Sequence, residues 1–576
     1  MGGFVGWIEP PPLARVDRVL ALAGAPTRRA SQVSLFGFGR RDLELAEDDE
    51  GGALAIAGYV RDADGALTAA DVLARWRRRG AALLDDLHGE FSLAIYLPGE
   101  VLVARDRLGT RPLYVGAPIG GGPIFATSLR PLFAAGVPPE IDRDSVVRSL
   151  ILGYVPAPRT AFARVEQLAP GELWSLAPRR SARRYFRSRE RIDRQRPLDR
   201  AARALDGAIT AAVRDAVPSN ARIGAFLSGG IDSSLVLARL RELGHDADAF
   251  TLHFGDALPG ELRYARAVAH HVGARHHVLE LDARQFCDAL EPALVQLEDL
   301  LSEPIAVPNF LLAREAARSC DVLFTGEGGD PPFGGPKNIG LVLAHSYRCH
   351  PNAPSLSDAY CAAHHHLYDD LDAALTADYR AAFDPARLAD EVIRPWIDAD
   401  AGAPGDTFVG RLMAANVALK GGSNILVKVA KMVAGAHDLA LRSPLFDRRV
   451  IDLALTTPPW QKLDGTEEKL VLKRAAARSL PAAVVNRSKR GMAVPLSAWL
   501  DGPLGALAAD VLTPRTVRER GLFRWRYVER LLRREPIATD LARSRSAEKL
   551  WLVLVTELHL RQLDRAHESG DLRRGP

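Results

Sequence analysis

The sequence predicts a mixed fold, α+β at its start and α/β after it, with a helical extension at its end. Three observations carry this. Up to about residue 195 the chain is dense in short apolar runs of strand length, with few helical stretches between them. From about residue 200 helix and strand alternate, which is the pattern of repeated βα units and so of a parallel sheet with helices on both faces. From about residue 405 the chain reads as helical.

Taken in order, the strand-like runs of the first section are 54–60, 91–97, 101–104 and 172–175, and 69–79 reads as a helix. In the second section a helix over 201–216 leads to the apolar run 223–227, short enough for a buried strand. A helix over 235–240, a strand at 249–254, a helix over 260–272 and a strand at 275–281 follow. Two more helical stretches precede a strand at 321–324. The terminal tail after Leu560 reads as frayed.

Composition narrows the function classes. A chain of 576 residues with 47% hydrophobic and 25% charged residues fits two to four globular domains. A formal net charge of +4 is small for this length and implies no dedicated nucleic-acid surface. No apolar run reaches membrane-span length, and the N-terminus lacks the charged and apolar regions of a signal peptide. Gly2 invites myristoylation, but position 6 is glycine where Ser or Thr is wanted. The scattered cysteines Cys287, Cys320, Cys349 and Cys361 suggest reduced thiols and a cytoplasmic setting. Cysteine and histidine between 345 and 366 raise a zinc hypothesis, yet no tight ligand pairing is present. The arginines between 179 and 191 read as a solvated linker, or as a docking surface for an acidic peptide.

The most informative stretch is Ser228-Gly229-Gly230-Ile231-Asp232-Ser233-Ser234, lying between a strand and a helix. Glycines let backbone N–H groups approach an anion, the helix N-terminus adds its positive dipole end, and the serine hydroxyls donate further hydrogen bonds. Asp232 sits where a Mg²⁺ on those phosphates needs a hard oxygen ligand. A second Gly-rich stretch, Thr325-Gly326-Glu327-Gly328-Gly329-Asp330, follows another strand. Ligands of parallel sheets bind at the carboxyl ends of strands, so Asp232 and Asp330 can share one Mg²⁺ that bridges ATP phosphates. Pro331-Pro332 fixes the backbone beyond Asp330 and removes two N–H donors, which predicts an altered pocket wall.

The first of these motifs resembles the pyrophosphate loop of the N-type ATP pyrophosphatases, in the form used by asparagine synthetases, and the second resembles that family's S/T-G-[ED]-G-[GS]-D-E-L-F-G-G. Two later stretches are similar to the same family: Asn424-Ile425-Leu426-Val427-Lys428-Val429-Ala430-Lys431-Met432 with Leu441-Arg442-Ser443-Pro444-Leu445-Phe446-Asp447, and Arg487-Ser488-Lys489-Arg490-Gly491-Met492-Ala493-Val494-Pro495. Ala430 replaces the family's Asp, and Ala440 falls where Glu is usual. The resemblance implies a PP-loop domain over 200–576 that forms AMP and pyrophosphate. In it Leu227, Ser228, Gly229, Gly230, Asp232, Ser233, Ser234, Leu252, Thr325 and Gly326 hold ATP, Asp232 and Asp330 hold Mg²⁺, and Lys489 reaches the phosphates. Glu327 faces the acyl-adenylate and can take a proton from the attacking amine.

Residues 1–195 resemble the family's N-terminal-nucleophile glutaminase, an Ntn-hydrolase-like sandwich, through 87–96, 104–114 and 125–129. The family places a catalytic Cys after the initiator Met, and Asn and Glu around a glycine that bind glutamine. This chain has Gly2 in the first place and Ala57-Gly58-Tyr59 in the second. The expectation is an amide-forming ligase that does not hydrolyse glutamine and uses free ammonia or an amine of its own substrate. That substrate is a small-molecule or peptide carboxylate. Lasso-peptide macrolactam formation on a precursor peptide is one alternative, an ATP-binding scaffold without turnover another, and a homodimer is left open.

Overall fold

Five parallel strands form the centre of the second half. Their order is His276–Glu280, Ala247–His253, Ile223–Phe226, Val322–Phe324 and Ala440–Arg442. The computed structural model describes residues 3–8, 11–22, 28–29, 35–38, 41–188, 191–258, 261–300, 303–334, 336–346, 355–364, 366–397, 407–435, 437–465, 467–487, 493–534 and 540–569. From Ile223–Phe226 the chain winds outward on one side through Ala247–His253 to His276–Glu280. It then returns to pair Val322–Phe324 on the other side. That reversal leaves a crevice beyond the carboxyl ends of the two central strands, where such sheets bind ligands.

Alternation along the strands supplies the two helical layers. Val322 and Phe324 pack on one face with Leu205, Ile209 and Val213 of helix Leu198–Ala216 and with Leu235 of helix Ile231–Glu242. Leu323 points the other way, toward Leu312, Val429 and Leu441. Period-two alternation on a sheet buried on both faces demands this. Each fully buried leucine, such as Leu235 at 0% exposure, contributes about 1.5–3 kcal/mol.

The first half is a sandwich of two antiparallel sheets. One has the order Val165–Gln167, Tyr114–Gly116, Ile124–Ala126, Gly3–Trp7, Leu35–Phe38, Arg28–Arg29. The other runs Ser181–Arg184, Glu172–Ala177, Glu100–Arg105, His88–Leu97, Ala53–Arg61, Leu43–Glu47. In Ala53–Arg61, Ala53, Ala55 and Ala57 face the partner sheet against Phe4 and Phe125. Leu54 and Ile56 face helix Ala69–Arg79 through Val72, Leu73 and Trp76. That helix has the bounds expected from the sequence, and Thr68 with Asp71 forms a capping box at its start. The fold class is thus α+β followed by α/β.

Two expectations need correction. The region after 405 is not helical throughout. Ala440–Arg442 is the fifth strand of the parallel sheet, and Leu463–Asp464 pairs with Glu467–Glu468. Runs of two or three residues carry no readable period, and pairing with Val322–Phe324 decides the longer one. Nor does the chain fray after Leu560. Helix Asp540–Ser569 continues, with Arg561 bonded to Glu557 at 2.9 Å and to the carbonyl of Val511 at 2.5 Å.

Candidate active site

The phosphate-cradle sequence and the second Gly-rich loop leave neighbouring strands, Ile223–Phe226 and Val322–Phe324, and meet at the crevice. Gly229 has a φ of 72°, and a Cβ there would fall 2.5 Å from the nitrogen of Ala265, so only glycine fits. Hydroxyls pin the turn. Ser228 N donates to Ser233 Oγ at 3.1 Å, the two Oγ atoms lie 3.0 Å apart, and Gly230 N donates to Ser228 Oγ at 3.3 Å. The second loop presses on the first. A Cβ on Gly326 would sit 2.3 Å from Ser233 N, and one on Gly329 2.5 Å from Asp232 Oδ1. Two missing side chains therefore let Asp232 and Asp330 approach each other.

A third residue joins them. Lys469 Nζ lies 2.5 Å from Asp232 Oδ2 and 2.5 Å from Asp330 Oδ1, and the lysine is 2% exposed. Burial alone would lower its pKa, but the two carboxylates outweigh that and raise it, so the ammonium persists. Lys469 is held in the left-handed region, with φ 61°, at the start of helix Leu470–Ala476. Sequence reasoning missed this role. The available signal was a lysine next to Glu467 and Glu468 at the edge of an apolar helix, which is also an ordinary surface pattern.

These groups line a cavity of about 790 Å³. Leu227, Ser228, Gly230, Asp232, Ser233, Leu252, Thr325, Gly326, Glu327 and Asp330 all lie on its wall. Gly229 and Ser234 do not. Gly229 is backed by Tyr264, and Ser234 is fully buried beneath the turn. The loop backbone at Glu327 is pinned by its N–H, which donates to Thr325 Oγ1 at 3.1 Å. Lys489 lies outside the described residues, as do Gly2, Cys349, His350 and His365. Arg487, two residues before Lys489, donates to the carbonyl of Gly229 at 3.2 Å, pairs with Glu261 and stacks over Tyr264 at 4.5 Å.

Pro331 and Pro332 are buried in the first turn of helix Asp330–Phe333, directly behind Gly329 and Asp330 of the cavity wall. A first helical turn needs no N–H there, so proline fits without loss. Ala430 and Ala440, at 2% and 4% exposure, are likewise core residues. No cluster of three metal-ligating side chains occurs among the described residues, and Cys349, His350 and His365 of the histidine-rich stretch lie outside them. The chemistry of Asp232 and Asp330 nonetheless suits a small hard cation. They are hard oxygen donors converging on one point, where a positive charge, the Lys469 ammonium, already sits.

The N-terminal half carries a second ionic cluster, at the boundary between the halves. Asp42 takes both terminal nitrogens of Arg442 at 2.8 Å, and Arg111 lies 3.1 Å from Asp42 and 3.5 Å from Glu90. Burial would raise the Asp42 pKa, yet Arg442 and Arg111 hold it down at about 2. Tyr59, at the position where the family carries a glutamine-binding Glu, lies 4.6 Å from the Arg442 guanidinium.

Two family models match separate parts of the chain. The asparagine synthase family model matches residues 204–563, and a glutamine amidotransferase domain model matches 67–186. The chain is similar to the putative asparagine synthetase [glutamine-hydrolyzing] of Mycobacterium tuberculosis, at 29% identity over 494 residues, covering 78% of this chain and 74% of that one. It is similar to asparagine synthetase [glutamine-hydrolyzing] 1 of Bacillus subtilis, at 25% over 540 residues, covering 89% and 82%. Asparagine synthetase B of Escherichia coli is 25% identical over 479 residues, covering 79% and 70%. With the matched model spanning more than half of its length, this chain belongs to the asparagine synthase family and is an ATP-dependent carbon–nitrogen ligase.

Proposed function

We propose that this chain activates a carboxylate as its acyl-adenylate and passes the acyl group to ammonia or to an amine of its own substrate, without hydrolysing glutamine. The observation that carries the first part is the meeting of Asp232, Asp330 and Lys469 on one cavity wall. A substrate carboxylate oxygen attacks the α-phosphorus of ATP, the bond to the β-phosphate oxygen breaks, and pyrophosphate leaves. Ser228, Gly230 and Ser233 hold the departing phosphates through N–H and O–H groups, on a turn that the left-handed Gly229 makes possible. Mg²⁺, when bound, spreads the developing phosphate charge, and Asp232 and Asp330 are the residues that would hold it. Lys469 keeps those carboxylates converged in its absence, and Lys489 offsets charge as pyrophosphate departs. The amine nitrogen then attacks the acyl carbon, the bond to AMP breaks, and Glu327 takes the proton the amine must lose.

Two independent departures motivate the second part of the reading. Gly2 has no nucleophile, and Tyr59 meets Arg442 where a polar glutamine contact is expected. Residues 1–195 are then a support for the ligase over 200–576. The amine belongs either to free ammonia or to the acyl substrate itself, and the second case includes ring closure on a precursor peptide.

The test is release of pyrophosphate and AMP with a panel of small and peptide carboxylates, each with ammonium or with glutamine. Pyrophosphate that requires carboxylate, with ammonium accepted and glutamine ignored, supports the reading. Glutamate formed from glutamine overturns the loss of the glutaminase. Turnover of a peptide without added amine selects ring closure. ATP binding without pyrophosphate across the panel selects the scaffold.

A further inference from the structure

The segment 416–435 lines the ligase cavity with Lys420, Ile425, Lys428, Val429 and Met432, and its backbone runs largely in wide π-type turns. Such turns recur at functional sites. What braces this wall is not the parallel sheet alone. Three contacts join it to the N-terminal half. A Cβ on Gly422 would fall 1.7 Å from the carbonyl oxygen of Leu108, so the helix backbone rests directly on that loop. Lys431 lies over the ring of Tyr114 at 5.3 Å, and its Nζ donates to the carbonyl of Leu297 at 2.8 Å. Between these, Lys428 Nζ donates to Glu303 Oε2 at 2.6 Å and to the carbonyl of Gly153 at 2.7 Å.

The Gly153 contact has a specific origin. Gly153 ends helix Arg143–Leu152 in the left-handed conformation, with φ 85°, and its own N–H closes on Ser149 at 2.8 Å. The last carbonyls of a helix carry the negative end of its dipole, and a lysine ammonium is the natural partner. Tyr154, the next residue, is buried at 4% exposure, and the Glu303 charge adds to burial and to Tyr360 in pushing its phenol pKa up. Burial would also raise the Glu303 pKa, but Lys428, Lys420 and His366 draw it down to about 2. A lysine on a four-carbon stem rotates unless a second acceptor fixes it.

We infer that the amidotransferase-like half is a working part of the ligase cavity: the carbonyl of Gly153 positions Lys428, and the seat of Gly422 on Leu108 holds the wall that carries it. This rests on the reading above only in that the Lys428 wall faces the acyl or amine substrate. Gly153 is a positioning group and touches no reacting atom. The contact also gives a physical reason for a nucleophile-less half to be retained, because without it the wall loses its second anchor.

The experiment is competitive amine acylation of the full-length protein with acetic anhydride, read lysine by lysine by mass spectrometry, with no substrate needed. The wild-type rate of Lys420 is the reference throughout, since Lys420 lies on the same wall and meets Glu303 by charge alone, which a Glu303 variant would alter. Lys428 is expected to acylate at least tenfold more slowly than Lys420. Glu303→Gln should leave Lys428 at least threefold slower than Lys420, because Gly153 still accepts. Gly422→Ala should speed Lys428 severalfold with Lys420 unchanged. Lys428 reacting as fast as Lys420 in Glu303→Gln would overturn the inference, since the Gly153 carbonyl would then not hold it. A Gly422→Ala protein with a lowered melting temperature and an unchanged Lys428 rate would do so too. Acylation rates report no turnover, so the ligase reading stands or fails separately.

Discussion

Two clusters in this molecule are built from carboxylates paired with buried cations, Lys469 between two acids in one and Asp42 between two arginines in the other, and they differ in what lies beside them. Asp232, Lys469 and Asp330 line a cavity of about 790 Å³, and the Asp330 side chain is 47% exposed. Asp42, Arg442 and Arg111 are packed shut, with side-chain exposures of 7%, 5% and 1%. In the first, a cation can leave and a ligand can enter. In the second, the charges have no other partner to find, so they fix the seam between the halves. Ion pairing by itself therefore does not mark a reactive site here. Open space next to the pair does.

The predictions press on that contrast. The largest effect belongs to the open cluster. Asp232→Asn should lower pyrophosphate release by on the order of 10²–10³-fold, since one preorganised charge contact in such a site is worth about 3–4 kcal/mol. Its melting temperature should move little. Equal losses in activity and in folding would make the open cluster structural like the closed one.

Next comes the closed cluster. Arg442→Met leaves Asp42 buried without its main partner, and should cost about 3–5 kcal/mol in urea unfolding. The Asp42 carboxyl has a folded pKa of about 2, below its ordinary value. Its stabilising contribution is therefore complete above about pH 4 and is lost as pH falls toward 2. Asp42→Asn should flatten that acid limb, and an unchanged limb would remove this cluster from the account.

A smaller effect is expected at His559 on the last helix. It is 2% exposed, neither ring nitrogen has a hydrogen-bond partner among the described residues, and burial with Lys431 nearby lowers its pKa to about 4. Its neutral form is the one that folds, so stability present above about pH 6.5 falls as pH drops toward 4. His559→Leu should raise stability by about 1–3 kcal/mol and weaken that dependence.

The smallest expected effect is none. Gly2→Cys restores a thiol but not the glutamine contacts, so glutamate release from glutamine should stay at background. Release at a catalytic rate would mean that Ala57 and Tyr59 do not prevent glutamine binding.

Much of the ligase half was readable in one dimension. The Ser228–Ser234 and Thr325–Asp330 stretches combine glycines, hydroxyls and acids after apolar runs, and each feature has a local cause. Lys469 was not readable, because its role depends on a buried left-handed backbone and on two acids 237 and 139 positions away in the chain. The strand Ala440–Arg442 was invisible for a related reason, being three residues long and defined by its neighbour. Pro331 and Ala430 show another limit of a one-dimensional reading. As departures from a pattern they pointed at the pocket, yet both side chains lie in the core.

By itself the sequence determined the succession of an α+β half and an α/β half, the phosphate-cradle turn and the loss of a nucleophile at position 2. These follow from residue type and local spacing, which are properties of short stretches. Only the tertiary structure decided that Asp232, Asp330 and Lys469 share one point, that Arg442 closes the seam, and that Gly153 of the first half reaches Lys428 of the second. Those are meetings of distant backbone positions, and they arise from the strand order and the close approach of glycine-bearing loops, which no local pattern encodes.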